Sequence, residues 1–156
     1  MRIVGLGLLA AVLAATHGHA QKPPATLDAK GIDAWRLANI DAEGWALMHA
    51  DGAALSYARG SPVKEADGTF PIEVRREYYR PVRLGPRPSR SNYQTWIVDC
   101  ELRRVKVTAM NFYVLNNMKG DGFRKANEAA SWTLLPPEDP DSPLLDRICA
   151  SAGETP

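Results

Sequence analysis

Cysteine and histidine are scarce in this 156-residue chain, and the shortage excludes whole classes of chemistry. The two cysteines are Cys100 and Cys149, and two of the three histidines, His17 and His19, fall within the first 20 residues. His49 is therefore the one histidine of the body. A zinc site of ordinary type draws three or four ligands from Cys, His and carboxylates, and with both thiols committed to each other no metal site is expected. A Ser-His-Asp arrangement would have to use His49, and no Gly-x-Ser-x-Gly elbow accompanies it. Gly120-Asp121-Gly122 lacks the rest of either glycine-rich phosphate fingerprint. An excess of one charge is missing too. With 19 Lys and Arg against 18 Asp and Glu, the net charge of +1 gives no bulk attraction to nucleic acid or to a membrane. Beyond the N-terminus no apolar run approaches the ~20 residues that span a bilayer, so no transmembrane segment is expected.

What is present begins with an export signal. Arg2 precedes an apolar run over residues 3–15, and His17-Gly18-His19-Ala20 ends in small residues where a signal peptidase cleaves. Residues 1–20 read as a signal peptide, residues 21–31, with Pro23 and Pro24, as a flexible lead-in, and residues 32–156 as a single domain. Residue 21 is Gln rather than Cys, so the expectation is an exported protein, periplasmic or secreted, and not a lipoprotein. Export puts the two thiols in an oxidising compartment, where a pair without competitors forms one disulfide. Joining Cys100 to Cys149 closes a loop of about 50 residues, worth about 4 kcal/mol in the chain-entropy model.

The apolar pattern predicts an α+β protein, mostly an antiparallel sheet with a C-terminal helix tethered to it by that disulfide. Short apolar segments over 35–40, 44–49 and 53–58 are separated by turns, and Asp51-Gly52 is a strong hairpin signal. Residues 61–69 read as a polar loop and 70–80 as an alternating strand. With three prolines, residues 81–91 read as a loop, neither strand nor helix. Residues 93–102 form the clearest strand, placing Trp96, Val98, Cys100 and Leu102 on one face. In residues 104–114 the apolar phase shifts by one, from Val105, Val107 and Ala109 to Met110, Phe112 and Val114, as a β-bulge produces. Residues 131–135 make a last short strand. After Asp141-Ser142-Pro143 the period becomes helical, with Leu144, Leu145, Ile148, Cys149 and Ala152 on one stripe. Trp35, Trp45, Trp96 and Trp132 read as core anchors.

In order along the chain, Tyr93, Asp99-Cys100, Arg103-Arg104, Tyr113, Gly120-Asp121-Gly122, Trp132, Pro136 and Cys149 resemble the surface-adhesin protein E family of bacterial envelope proteins. The likeness covers residues 90–150 best. It implies an antiparallel sheet with a disulfide-tethered helix, and an interaction role. The namesake adhesin of the family binds host matrix and plasma proteins, is linked to haem, and is a lipid-anchored dimer; the chain departs from it in lacking the anchoring cysteine. His49, with Met48, is the sole conventional haem-iron ligand candidate. Neighbours on a strand point to opposite faces, however, so no cofactor is expected.

The charged residues most suited to binding are Arg75, Arg76, Arg80, Arg83, Arg87 and Arg90, interleaved with Tyr78 and Tyr79. Guanidinium forks match sulfate, phosphate and carboxylate bidentately, so this stretch suits a protein, glycan or lipopolysaccharide partner rather than nucleic acid, which an exported protein rarely meets. The competing reading is a solvated strand face in which Arg and Glu pair across strands. The expectation is an exported, non-catalytic binding module. The alternatives are an envelope assembly protein that self-associates through a sheet edge, as a homodimer, or a hydrolase using Asp99 and Glu101. Carboxylates two apart on a strand would sit about 7 Å from each other, within the range of acid–base pairs.

Overall fold

A computed structural model describes residues 21–60, 62–127 and 129–153; the signal-peptide reading of residues 1–20 lies outside the described residues. The first element among the described residues is a helix, α1 (Ala29–Asn39). It starts because Asp28, in extended backbone, accepts a hydrogen bond from Gly31 N at 2.7 Å. Residues 35–40, expected as a segment among turns, are thus mostly helical. The reason they escaped is that Trp35 is the only fully buried residue of α1 and Leu37 is 74% exposed, so the 3.6-residue apolar stripe is weak. The lead-in over 21–31 carries specific contacts. Trp35 Nε1 donates to Lys22 O at 2.6 Å, and Arg90 Nη1 to Gln21 O at 2.8 Å.

Six strands follow as a meander: β1 (Ala46–Ala50), β2 (Ala54–Arg59), β3 (Phe70–Arg83), β4 (Pro88–Asp99), β5 (Arg104–Tyr113) and β6 (Gly122–Ala126). Each pairs antiparallel with the next, in the order of the sequence. A short β7 (Thr133–Leu134) pairs with the start of β5, on the side that β6 occupies further along. The chain closes with α2 (Ser142–Ser151), which has a proline in its first turn. A mostly antiparallel sheet with a disulfide-tethered C-terminal helix is therefore the fold, with a second helix at the N-terminus.

Strand alternation divides the sheet into two apolar faces. On one, Ala58, Phe70, Ile72, Val74, Trp96, Val98 and Val105 pack against Leu144, Leu145 and Ile148 of α2. On the other, Leu55, Tyr57 and Tyr79 pack with Trp45 and with Trp35 of α1. The phase shift in β5 is a bulge: Thr95 pairs with Ala109 but Trp96 with Val107, leaving Thr108 as the extra residue. Val105, Val107, Met110 and Phe112 thereby share one side of the sheet.

Two sequence expectations are corrected. Residues 81–91 are not a loop, since β3 runs to Arg83 and β4 starts at Pro88. The prolines are tolerated because Pro81 falls where pairing lapses between Glu77 and Val82, and Pro88 is the first residue of its strand. The strand over 93–102 ends at Asp99. Asp99 Oδ1 accepts from Leu102 N at 3.0 Å and Arg103 takes φ +48°, so residues 100–103 turn and Leu102 is 52% exposed instead of facing the core.

Cys100, just past β4, bonds to Cys149 of α2, with Cα atoms 5.8 Å apart and 49 residues of separation. Both sulfurs lie in the core. Arg103 reinforces the attachment, donating from Nη1 to Asp146 Oδ1 at 2.7 Å and from Nη2 to Ser142 Oγ. A ten-residue helix is marginal by itself, so the crosslink carries much of its placement. Reduction, or Cys149→Ser, is expected to lower stability by about 4 kcal/mol, read as a drop in urea midpoint; identical unfolding of the oxidised and reduced protein would refute this.

Candidate functional site

The arginine-rich stretch is split by strand geometry. Odd-numbered residues of central β3 point to the α1 face and even-numbered ones to the α2 face. Arg75 therefore turns inward beneath the loop that follows α1, with its side chain 3% exposed. Its Nε donates to Glu77 Oε1 at 2.6 Å, its Nη1 to Asp41 O at 2.8 Å and its Nη2 to Asn117 Oδ1 at 2.9 Å. Glu77 is wholly buried, and its carboxylate also accepts from Asn116 Nδ2 and from Asn117 N. Burial pushes the Glu77 carboxyl up from the usual range, opposed by Arg75 and by the Asn116 and Asn117 donors. Asn117 completes the knot by donating from Nδ2 to Asn39 O and accepting from Asp41 N, both at 2.8 Å.

The neighbouring Arg76 points to the opposite face, where Nη2 lies 2.7 Å from Asp141 Oδ1 at the start of α2. Arg90 is an interior group that donates to Gln21 O and Tyr79 O. Tyr78 and Tyr79 are buried as well; Tyr78 Oη accepts from Asn92 Nδ2 at 3.0 Å, and Tyr79 stacks edge-on against Trp35. Arg80, Arg83 and Arg87 are exposed around the β3–β4 turn. Of these, Arg87 reaches Asp121 at 3.0 Å across a solvent-exposed gap, while Arg80 and Arg83 make no ion pair among the described residues. The eight predicted binding residues thus fall into an interior group and an outward-facing cationic trio.

Asp99 and Glu101 do not form a carboxylate pair on one strand. Asp99 accepts from Arg104 Nε at 2.8 Å and from Leu102 N, whereas Glu101 stands exposed in the turn. With Lys64 and Asp67 they edge a shallow polar hollow of about 220 Å³. His49 is half-buried on edge strand β1, and the register shift between Leu47 and His49 lets Met48 pack against the α2 core. Among the described residues no cluster of three or more His, Cys, Asp and Glu is placed to hold a metal ion. Trp35, Trp45 and Trp96 are buried, as the sequence predicts. Trp132 is only half-buried, clasped by Arg104 and Lys106 at 4.4 and 4.8 Å from its ring centre.

Asn116 and Asn117 escaped the sequence reading. Their signal is the run Asn116-Asn117-Met118-Lys119-Gly120, in which Asn117 and Gly120 have left-handed backbone, φ +62° and +76°. Asparagine and glycine are the residues that visit that region most readily.

These features define a disulfide-stapled antiparallel sheet protein that presents arginines at one hairpin turn. The chain belongs to the surface-adhesin protein E family, whose model matches residues 45–150. The match thus reaches 45 residues further toward the N-terminus than the motifs alone carried it. Its fold is similar to that of Haemophilus influenzae protein E. One structure of that protein, crystal form II, superposes with a TM-score of 0.52 at 16% identity, covering 74% of this chain and 98% of that one. Another gives 0.51 at 17% identity, covering 74% and 90%. No curated protein sequence matches the chain. No helix among the described residues is long and apolar enough to cross a membrane.

The interior tyrosines offer a check on this geometry. Burial raises the Tyr57 and Tyr79 hydroxyls from the ordinary 10 to about 12. Above pH 10 the unfolded chain gives up these protons while the folded chain keeps them, so stability declines as pH rises from 10 to 12. In an absorbance titration at 295 nm these two phenols are expected to ionise only near 12; release of every tyrosine near 10 with the fold intact would show that they are not buried as described.

Proposed function

We propose that the protein is an exported, non-catalytic binding module that contacts an anionic macromolecular partner through the β3–β4 turn. The observation that carries this reading is the exposure of Arg80, Arg83 and Arg87 within eight residues at one end of the sheet. Membership of an adhesin family supports it. Arginine suits the role because its planar fork pairs bidentately with sulfate, phosphate and carboxylate. Sulfated glycans, lipopolysaccharide phosphates and acidic protein surfaces share that chemistry. Asp99 paired to Arg104 and Glu101 exposed in the turn favour this reading over the hydrolase alternative, which depended on an acid–base pair.

Self-association is the second reading, and edge strand β1 favours it. β1 pairs only with β2 among the described residues, and Leu47 on it is 42% exposed. A free edge pairs readily with a second copy, although the irregularity at Met48 interrupts it.

Two experiments separate these readings. Arg80→Glu with Arg83→Glu is expected to weaken retention on a heparin matrix at least tenfold and to leave the melting temperature unchanged, because neither side chain has a hydrogen bond or ion pair to lose among the described residues. Unchanged elution would refute the cationic-turn reading. Equilibrium sedimentation tests the edge, where a dimer abolished by Leu47→Lys would support self-association and a monomer at all concentrations would exclude it.

A further inference from the structure

α2 covers only part of its face of the sheet. Where β4 and β5 run past it a hollow of about 330 Å³ remains, floored by Trp96, Val107, Met110 and Phe112. Cross-strand registers fix its layout. Arg76 stands opposite Asn92, which stands opposite Phe112; one row along, Gln94 faces Met110, which faces Lys125. One end of the hollow is therefore polar, the middle apolar, and the far rim cationic. With strands about 4.8 Å apart, the distance from the Arg76 strand to the Lys125 strand is about 14 Å.

The polar end is incompletely satisfied. Asn92 is 2% exposed, and its Oδ1 has no hydrogen-bond partner among the described residues, although Nδ2 donates to Tyr78 Oη. Among the described residues Arg76 Nε and Nη2 are also buried without a hydrogen bond, although Nη2 lies 2.7 Å from Asp141 in an ion pair. Trp96 Nε1 donates to Gln94 Oε1 at 2.7 Å. A buried polar atom left unpaired costs about 1–3 kcal/mol. Unpaired polar atoms on these two cross-strand partners, next to an apolar floor, are costly in a packed core but fitting in a binding site.

We propose that this hollow binds a small organic monoacid, a carboxylate on an extended apolar body. The carboxylate takes Arg76 Nε as its donor. Turning the Asn92 amide over, so that Tyr78 donates to Oδ1, presents Nδ2 as a second donor. The apolar body lies over Trp96, Val107 and Met110. Arg76 and Lys125 outweigh Asp141 in the lining, so the hollow is cationic and favours an acid over the corresponding alcohol. A dianion would meet Asp141 and gain less. The site lies on the α2 face; Leu84 of the hairpin turn reaches its edge, but Arg80, Arg83 and Arg87, which carry the proposed macromolecular contact, do not line it.

The test uses the full oxidised chain with dodecanoate and dodecanol as probes, followed by intrinsic tryptophan fluorescence and calorimetry. Saturable binding of dodecanoate at least tenfold tighter than dodecanol is expected. Arg76→Gln should abolish that preference while leaving dodecanol unchanged. Met110→Trp, which fills the floor, should abolish binding of both, and it keeps the proposal testable should loss of the Asp141 contact unfold the Arg76 variant. Equal affinity for acid and alcohol in the parent protein overturns the proposal, as do absence of saturable binding and full binding to Met110→Trp. If Met110→Trp instead dissociates a dimer and neither probe binds, the hollow is a surface for a second copy and the proposal fails.

Discussion

The buried ion pair between Arg75 and Glu77 is the constraint on which the rest of the arrangement depends. A carboxylate removed from water is stable only when surrounded by donors, and those around Glu77 come both from its own strand and from a distant turn. Arg75 lies two residues away on β3, and Asn116 and Asn117 lie in the β5–β6 turn. The same Arg75 and Asn117 hold the backbone at Asn39 and Asp41, where α1 gives way to the strands. One buried pair therefore fixes the N-terminal helix, the central strand and the β5–β6 turn relative to one another. Apolar side chains of equal volume could supply similar stability, but not that directional linkage of two loops.

The opposite face is held by a different means. Arg76, next in sequence, emerges on the far side of the sheet and meets Asp141 at the start of α2. Arg103 grips the same helix through Asp146 and Ser142, and Cys149 is bonded to Cys100. Adjacent arginines thus serve opposite faces, one knotting loops over α1 and one receiving α2. Within residues 75–90, arginines reach solvent only past Tyr79, at Arg80, Arg83 and Arg87, where the β3–β4 hairpin extends beyond the bodies of both cores. The cationic turn is what remains once the structural arginines are accounted for.

Periodicity made much of this legible. Alternation in Phe70, Ile72 and Val74 and in Trp96 and Val98, the phase shift around Thr108, and the helical stripe of Leu144, Leu145 and Ile148 all register in the apolar pattern. The disulfide followed from reading residues 1–20 as an export signal and from two thiols without competitors. α1 was less legible because a helix that buries one tryptophan leaves little periodic trace. Proline misled over residues 81–91, since a lapse in pairing and a strand's first residue tolerate it as readily as a loop does. The division of the arginines was least accessible. Charge clustering in a sequence records how many guanidinium groups are near one another, not which find buried partners, and Glu77 and Asn117 decide that from two and 42 residues away.

The most direct test of the central claim is a double-mutant cycle on Arg75 and Glu77, with stability read from urea unfolding. Truncating either residue alone to Ala strands its partner's charge in the interior and is predicted to cost about 3–5 kcal/mol. Truncating both is predicted to cost little more than either alone, because no charge is then left unpaired. Strictly additive losses would mean that the two side chains act independently, and that the knot joining α1, β3 and the β5–β6 turn is not what holds the structure in place.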